Sequence, residues 1–105
     1  MGLLSLLGFG ESKVKVLDLL ERDAQIIDLR LPDLFSEENI MGSLNMEQYE
    51  VYLRLEEVRN FNKPVLVCCR SGLRSDEVAA VLRKAGVEAI NAGKYRRLKK
   101  LIEEK

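Results

Sequence analysis

Val65-Leu66-Val67-Cys68-Cys69-Arg70-Ser71-Gly72-Leu73-Arg74-Ser75, residues 65–75, is the stretch that decides the fold. Five apolar residues in a row, released by the breaker Lys63-Pro64, read as a strand buried on both faces. Gly72 stops the run. Ser75 reads as the cap of a helix reaching to about residue 85, with Asp76 and Glu77 in its first turn, where the helix dipole favours anions. Gly86 then ends that helix as a left-handed cap residue. A buried strand therefore passes through one tight loop straight into a helix.

The flanking sequence repeats this alternation. Ser12 caps a helix through about residue 22, with Val14, Val16, Leu17 and Leu20 as its expected inner face. Residues 25–29 (QIIDL) read as a short buried strand. Pro32 opens a short helix over 32–38, and residues 42–45 hold a small strand. Residues 47–61 read as one amphipathic helix carrying Tyr49, Tyr52, Leu53, Leu55, Val58 and Phe61. After the 65–75 unit, residues 88–91 (EAIN) form a strand, Ala92-Gly93 a turn, and residues 94–104 a helix with Tyr95, Leu98, Leu101 and Ile102 inward. The pattern predicts an α/β domain, a small, mostly parallel sheet flanked by helices on both faces. Residues 1–11 form an apolar N-terminal arm and residues 12–105 a single domain.

Composition narrows the chemistry. A length of 105 residues fits one domain, and 47% apolar content supplies a core without metal or disulfide staples. Seventeen basic residues balance seventeen acidic ones, which argues against nucleic-acid binding. No run approaches the roughly 20 apolar residues of a membrane span, and residues 1–10 lack the basic start and cleavage site of a secretory signal. Histidine is absent. That removes Ser-His-Asp and Cys-His pairs and every His metal site, and two Cys cannot make a four-thiolate zinc site. The expectation is no metal and no cofactor. Cys68 and Cys69 are neighbours and close no useful loop. Free thiols fit a reducing, cytoplasmic location.

What remains is a thiol in a particular setting. Ligands of open parallel sheets bind at the carboxyl ends of strands, and Cys69 stands at such an end. Loop amides and a helix N-terminus converge there, which stabilises a thiolate and cradles an anion. Arg70 and Arg74 add fork-shaped cationic donors, and Gly72 lets the loop curl. Activation needs no histidine. A Cys69 pKa below neutrality is expected, within the roughly 3.5–7.5 range of activated thiols.

The loop from Cys69 through Arg70-Ser71-Gly72, one variable residue, Arg74 and Ser75 resembles the active-site loop of single-domain rhodanese-like sulfurtransferases. Ile27-Asp28-Leu29-Arg30 followed by Pro32-Asp33-Leu34-Phe35 is similar to that family's opening Asp-x-Arg segment. Asn39-Ile40-Met41-Gly42-Ser43 resembles its His-Ile-Pro-Gly-Ala stretch, with Asn39 and Met41 as departures. Leu82 to Val87 resembles the end of its next helix. Gly93-Lys94 stands where the family has Gly-Gly, and no Trp follows.

The resemblance implies a rhodanese-like α/β fold and a sulfurtransferase in which Cys69 becomes a persulfide. The loop of Arg70, Ser71, Gly72, Leu73, Arg74 and Ser75 would bind the substrate, its main-chain amides holding the transferred sulfur. Asp28 and Arg30 would lie beside the loop in a supporting role, as a structural ion pair. The implied partners are a small anionic sulfur donor such as thiosulfate, or a protein persulfide, and a thiol or cyanide acceptor.

Two other readings share these letters. Cys68-x5-Arg74-Ser75 formally matches the loop of Cys-dependent phosphatases and arsenate reductases. Strand alternation opposes this, because Cys68 shares a face with Leu66 and points into packing. A non-catalytic sulfur carrier or scaffold is the other. The basic run Lys94, Arg96, Arg97, Lys99 and Lys100 offers a surface for an acidic protein partner, or is a solvated helix face.

Overall fold

The computed structural model describes residues 10–105, so most of the apolar arm lies outside the described residues. The elements in chain order are α1 (Lys13–Glu21), β1 (Gln25–Asp28), α2 (Pro32–Glu37), β2 (Leu44–Asn45), α3 (Gln48–Leu53), α4 (Leu55–Arg59), β3 (Val65–Cys69), α5 (Leu73–Lys84), β4 (Ala89–Lys94) and α6 (Tyr95–Glu103).

All five residues of β3 are buried, as a strand covered on both faces requires. The sheet order is β2-β1-β3-β4, and every neighbouring pair is parallel. Alternation along β3 sends its side chains into two cores. Val65, Val67 and Cys69 join Ile27, Val51, Val58, Val78 and Leu82 on the face covered by α3, α4 and α5. Leu66 and Cys68 join Val16, Leu19, Tyr95, Leu98 and Leu101 on the face covered by α1 and α6. The α/β class and the two-sided parallel sheet therefore stand as expected.

Several local expectations need correction. In α1 the buried residues are Val16 and Leu19, while Val14 is 76% exposed. Positions two apart in a helix differ by about 200°, so Val14 and Val16 cannot share an inner face. The segment 47–61 is two helices broken at Arg54 (φ −107, ψ 31). Arg54 N–H ends α3 on Glu50 O, and its own carbonyl accepts from Val58 N–H to start α4. Val51 and Val58 are buried in the core, while Tyr49, Tyr52 and Leu53 are exposed.

The α5 cap is also different. Gly72, in the left-handed region at φ 90, occupies the cap position, and the helix starts at Leu73. Ser75 sits in the first turn, fully buried. Ala92-Gly93 is not a turn. β4 continues to Lys94 by absorbing one extra residue: Val67 pairs with Asn91 but Cys68 with Gly93. This bulge re-aims the strand end next to the loop after β3. Chain enters α6 at once, with Lys94 as its cap. Glu11 N–H donates to Asn91 O at 2.8 Å and Glu11 O accepts from Arg97 at 2.6 Å, tying the start of the described chain to β4 and α6.

Candidate active site

Cys69 ends β3 on the α5 side of the sheet, where the loop 70–72 turns back over it. Gly72 N–H donates to Cys69 Sγ at 3.0 Å. The Ser75 hydroxyl lies 3.3 Å from the same sulfur. The loop is held in shape by its own groups, since Leu73 N–H donates to Ser71 Oγ at 3.2 Å. Burial pushes the Cys69 thiol up, but the Ser75 hydroxyl and the amides of Ser75, Gly72 and Ser71 outweigh it. The net shift is below the ordinary thiol value. That is the direction expected for amide-stabilised thiolates.

Cys68 has the opposite surroundings. It belongs to the core on the other face, with Leu66, Tyr95 and Leu98. Burial, and then the Asp28 carboxylate, push its thiol well above the ordinary value. It does not line the hollow that Cys69 lines.

Asn91, a residue the sequence reading passed over, organises the loop from the neighbouring strand. Its side chain is buried, and both its amide atoms are bonded. Nδ2 donates to Gly72 O at 3.0 Å, while Oδ1 accepts from Gly93 N–H at 2.8 Å and from Ser75 Oγ at 2.6 Å. The two backbone partners fix which end of the amide is oxygen. Asn91 thereby holds Gly72 and Ser75, the two groups that touch the sulfur. The available signal was a polar residue inside an otherwise apolar strand. Its partners, 16 and 19 residues away, are not visible in the sequence.

Asp28 and Arg30 sit beside the loop as a buried ion pair. Arg30 Nη2 meets Asp28 Oδ2 at 2.9 Å, and Nε bridges both carboxylate oxygens. The guanidinium also donates to Glu38 O at 2.7 Å and lies 3.5 Å from the Tyr95 ring centroid. Nε and Nη2 are thus committed to the protein. Asp28 holds Arg30 from behind, and Arg30 lines the Cys69 hollow, about 280 Å³, together with Leu34, Glu47, Arg70, Ser71 and Arg74. Leu73 is exposed and does not line it. Arg70 and Arg74 are exposed, with no ion-pair partner among the described residues.

The basic run divides. Lys94 and Arg96 line a second hollow beside the first. Arg97 is turned inward to Ala92 O and Glu11 O, and Lys99 pairs with Glu38. It is therefore not one continuous docking face.

A parallel sheet with a cysteine loop at a strand's carboxyl end narrows the family, and comparison decides it. The family model described as "Rhodanese-like domain" matches residues 12–95. The chain belongs to the rhodanese-like domain family. Among curated relatives of this rhodanese-like domain, the uncharacterized protein YqhL of Bacillus subtilis is 38% identical over 69 residues, covering 66% of this chain and 54% of YqhL. The uncharacterized protein YibN of Escherichia coli K12 is 36% identical over 84 residues, covering 71% of this chain and 59% of YibN. The chain thus spans between half and two thirds of the curated relatives it matches. Among solved structures, reduced CoADR-RHD of Bacillus anthracis superposes with a TM-score of 0.71 at 26% identity, covering 96% of this chain and 18% of that one. Protein hp1203 of Helicobacter pylori shares the fold alone, with a TM-score of 0.61 at 18% identity over 75% of this chain and 74% of its own. Among the described residues, no helix of this rhodanese-like domain is long and apolar enough to cross a membrane.

Proposed function

We propose that this rhodanese-like domain is a sulfurtransferase working through a persulfide on Cys69. The observation that carries the reading is the environment of one sulfur. Cys69 Sγ takes an N–H from Gly72 at 3.0 Å, lines a hollow with two arginines that have no ion-pair partner among the described residues, and has its thiol lowered by loop donors. The lowered pKa favours a thiolate without a general base.

In the first half-reaction the thiolate attacks the outer sulfur of the donor. With thiosulfate, a Cys69–S bond forms, the donor S–S bond breaks, and sulfite leaves with the electron pair. In the second, a thiol or cyanide acceptor attacks the outer sulfur of the persulfide and the Cys69 thiolate is regenerated. The amides of loop 70–74 hold the transferred sulfur and disperse its charge. Arg70 and Arg74 draw in the anionic donor. The sulfur travels on Cys69, so the cycle needs no cofactor. Two free, buried thiols support a reducing, cytoplasmic setting.

Cys68 is a poor candidate for the phosphatase-like alternative, being packed away from the hollow with its thiol pushed up by burial. The test is thiosulfate:cyanide transfer by wild type, Cys69→Ser and Cys68→Ala. Activity in wild type and Cys68→Ala with none in Cys69→Ser is expected. Loss in Cys68→Ala alone, with hydrolysis of p-nitrophenyl phosphate, overturns it.

A further inference from the structure

Two hollows meet at the mouth of the Cys69 loop. Arg30, Leu34 and Arg70 line both. The first, about 280 Å³, contains Cys69, and the second, about 260 Å³, contains Lys94, Tyr95 and Arg96 instead. Thiosulfate needs only the first. Each is smaller than the roughly 300–1,000 Å³ of an ordinary small-molecule site, and the two together fall within that range.

The second hollow is cationic. Arg30 is neutralised by Asp28 and lies over the Tyr95 ring, so it makes a fixed floor. Glu38 is held by Lys99 and by the Tyr95 hydroxyl. Among the described residues, Arg70, Lys94 and Arg96 have no ion-pair partner, and Glu37 is the one lining carboxylate left to oppose them. The bulge in β4 sets this charge next to the sulfur. Lys94 is the register partner of Cys69, so their backbones lie about one strand spacing apart, roughly 4.8 Å. The direct passage from β4 into α6 brings Arg96 to the same rim.

We propose that the second hollow is a tail site for sulfur donors that are small thiol persulfides, R–S–SH, with carboxylates on R. The proposal rests on the sulfurtransferase reading and names its donor class. The Cys69 thiolate attacks the outer sulfur of R–S–SH. A Cys69–S bond forms, the donor S–S bond breaks, and R–S⁻ leaves and takes a proton from solvent. The outer sulfur keeps its own proton and oxidation level. Lys94 and Arg96 hold the carboxylates of R while this occurs and touch no reacting atom.

The test compares rates of Cys69 persulfide formation at physiological salt from three donors, glutathione persulfide, the uncharged 2-hydroxyethyl persulfide and thiosulfate, with a fourth, the persulfide of cysteamine, added for the charge-reversed variant and its wild-type control. With Lys94→Gln/Arg96→Gln, the rate constant with glutathione persulfide is expected to fall about tenfold, the scale of two exposed charge pairs. The 2-hydroxyethyl persulfide rate should stay within about twofold. In Lys94→Glu/Arg96→Glu the preference should invert, with the persulfide of cysteamine, which has a cationic tail, reacting faster than in wild type. An equal fall for charged and uncharged tails, or no fall with glutathione persulfide, overturns the tail site while thiosulfate loading leaves the transfer reading standing. If wild type takes sulfur from none of the three, the transfer reading and the tail site both fall.

Discussion

Ser75 has one hydroxyl proton and two neighbours that can take it, Asn91 Oδ1 at 2.6 Å and Cys69 Sγ at 3.3 Å. While Cys69 is a thiol, its S–H donates to Ser75 Oγ and Ser75 donates to Asn91. Once the sulfur ionises, Ser75 turns its proton to the thiolate, and Asn91 Oδ1 keeps the Gly93 N–H. Ser75→Ala removes a donor to the charged form, so the Cys69 pKa rises. Iodoacetamide alkylation on a Cys68→Ala background should show a midpoint at higher pH, with severalfold slower reaction at pH 7 and an unchanged plateau above both midpoints. An unmoved midpoint contradicts the role given to Ser75. The sign for stability follows from the same shift. A folded-state pKa below the unfolded one favours the folded thiolate. That contribution is full above the ordinary thiol pKa and is lost as pH falls through the folded value. At this scale the sequence was legible for Cys69, Gly72 and the two arginines, because strand alternation and loop spacing are local. It was silent on Asn91, whose partners come from a different strand–helix unit, and it misread Ser75 as a cap because serine is common there.

The loop between β3 and α5 works as an element because Gly72 takes a conformation that side chains resist. At φ 90 a Cβ costs on the order of 1–2 kcal/mol, and relieving it swings away the N–H that faces sulfur. Gly72→Ala is therefore expected to lower stability by about that amount and also to slow sulfur loading. Chemical denaturation and a loading assay read the two effects separately. A stability loss with full loading would show that the Gly72 amide is dispensable. The α5 boundary and the bulge in β4 are set by contacts that local pattern cannot show. Asn91 holds Gly72 from the neighbouring strand, and Lys94 follows Asn91 past a fixed β3 register. The break at Arg54 carries no Gly or Pro to announce it. Periodicity found the elements and their order. Tertiary packing set where they bend.

Over the whole molecule the formal charge is zero, yet its distribution is uneven. Arg70, Arg74, Lys94 and Arg96 stand around the Cys69 mouth, while most acidic groups near α1 and α4 are paired with basic neighbours. Such a field steers anions to the sulfur and is screened by salt. The loading rate with thiosulfate should drop several-fold between about 0.01 M and 0.15 M ionic strength, where the screening length shortens from roughly 30 to 8 Å. Loading by an uncharged persulfide should barely change, and equal salt sensitivity for both donors would rule out steering. Fold class was readable here from the alternation of strands and helices alone. The uneven charge was not, because Arg70 and Arg96 are far apart in sequence and meet only across the strand ends. The central claim is that sulfur resides on Cys69, and intact mass after incubation with thiosulfate tests it most directly. Wild type and Cys68→Ala should each gain the mass of one sulfur atom, reversed by cyanide, and Cys69→Ser should gain none. Sulfur uptake by Cys69→Ser, or its absence from wild type, would contradict the account.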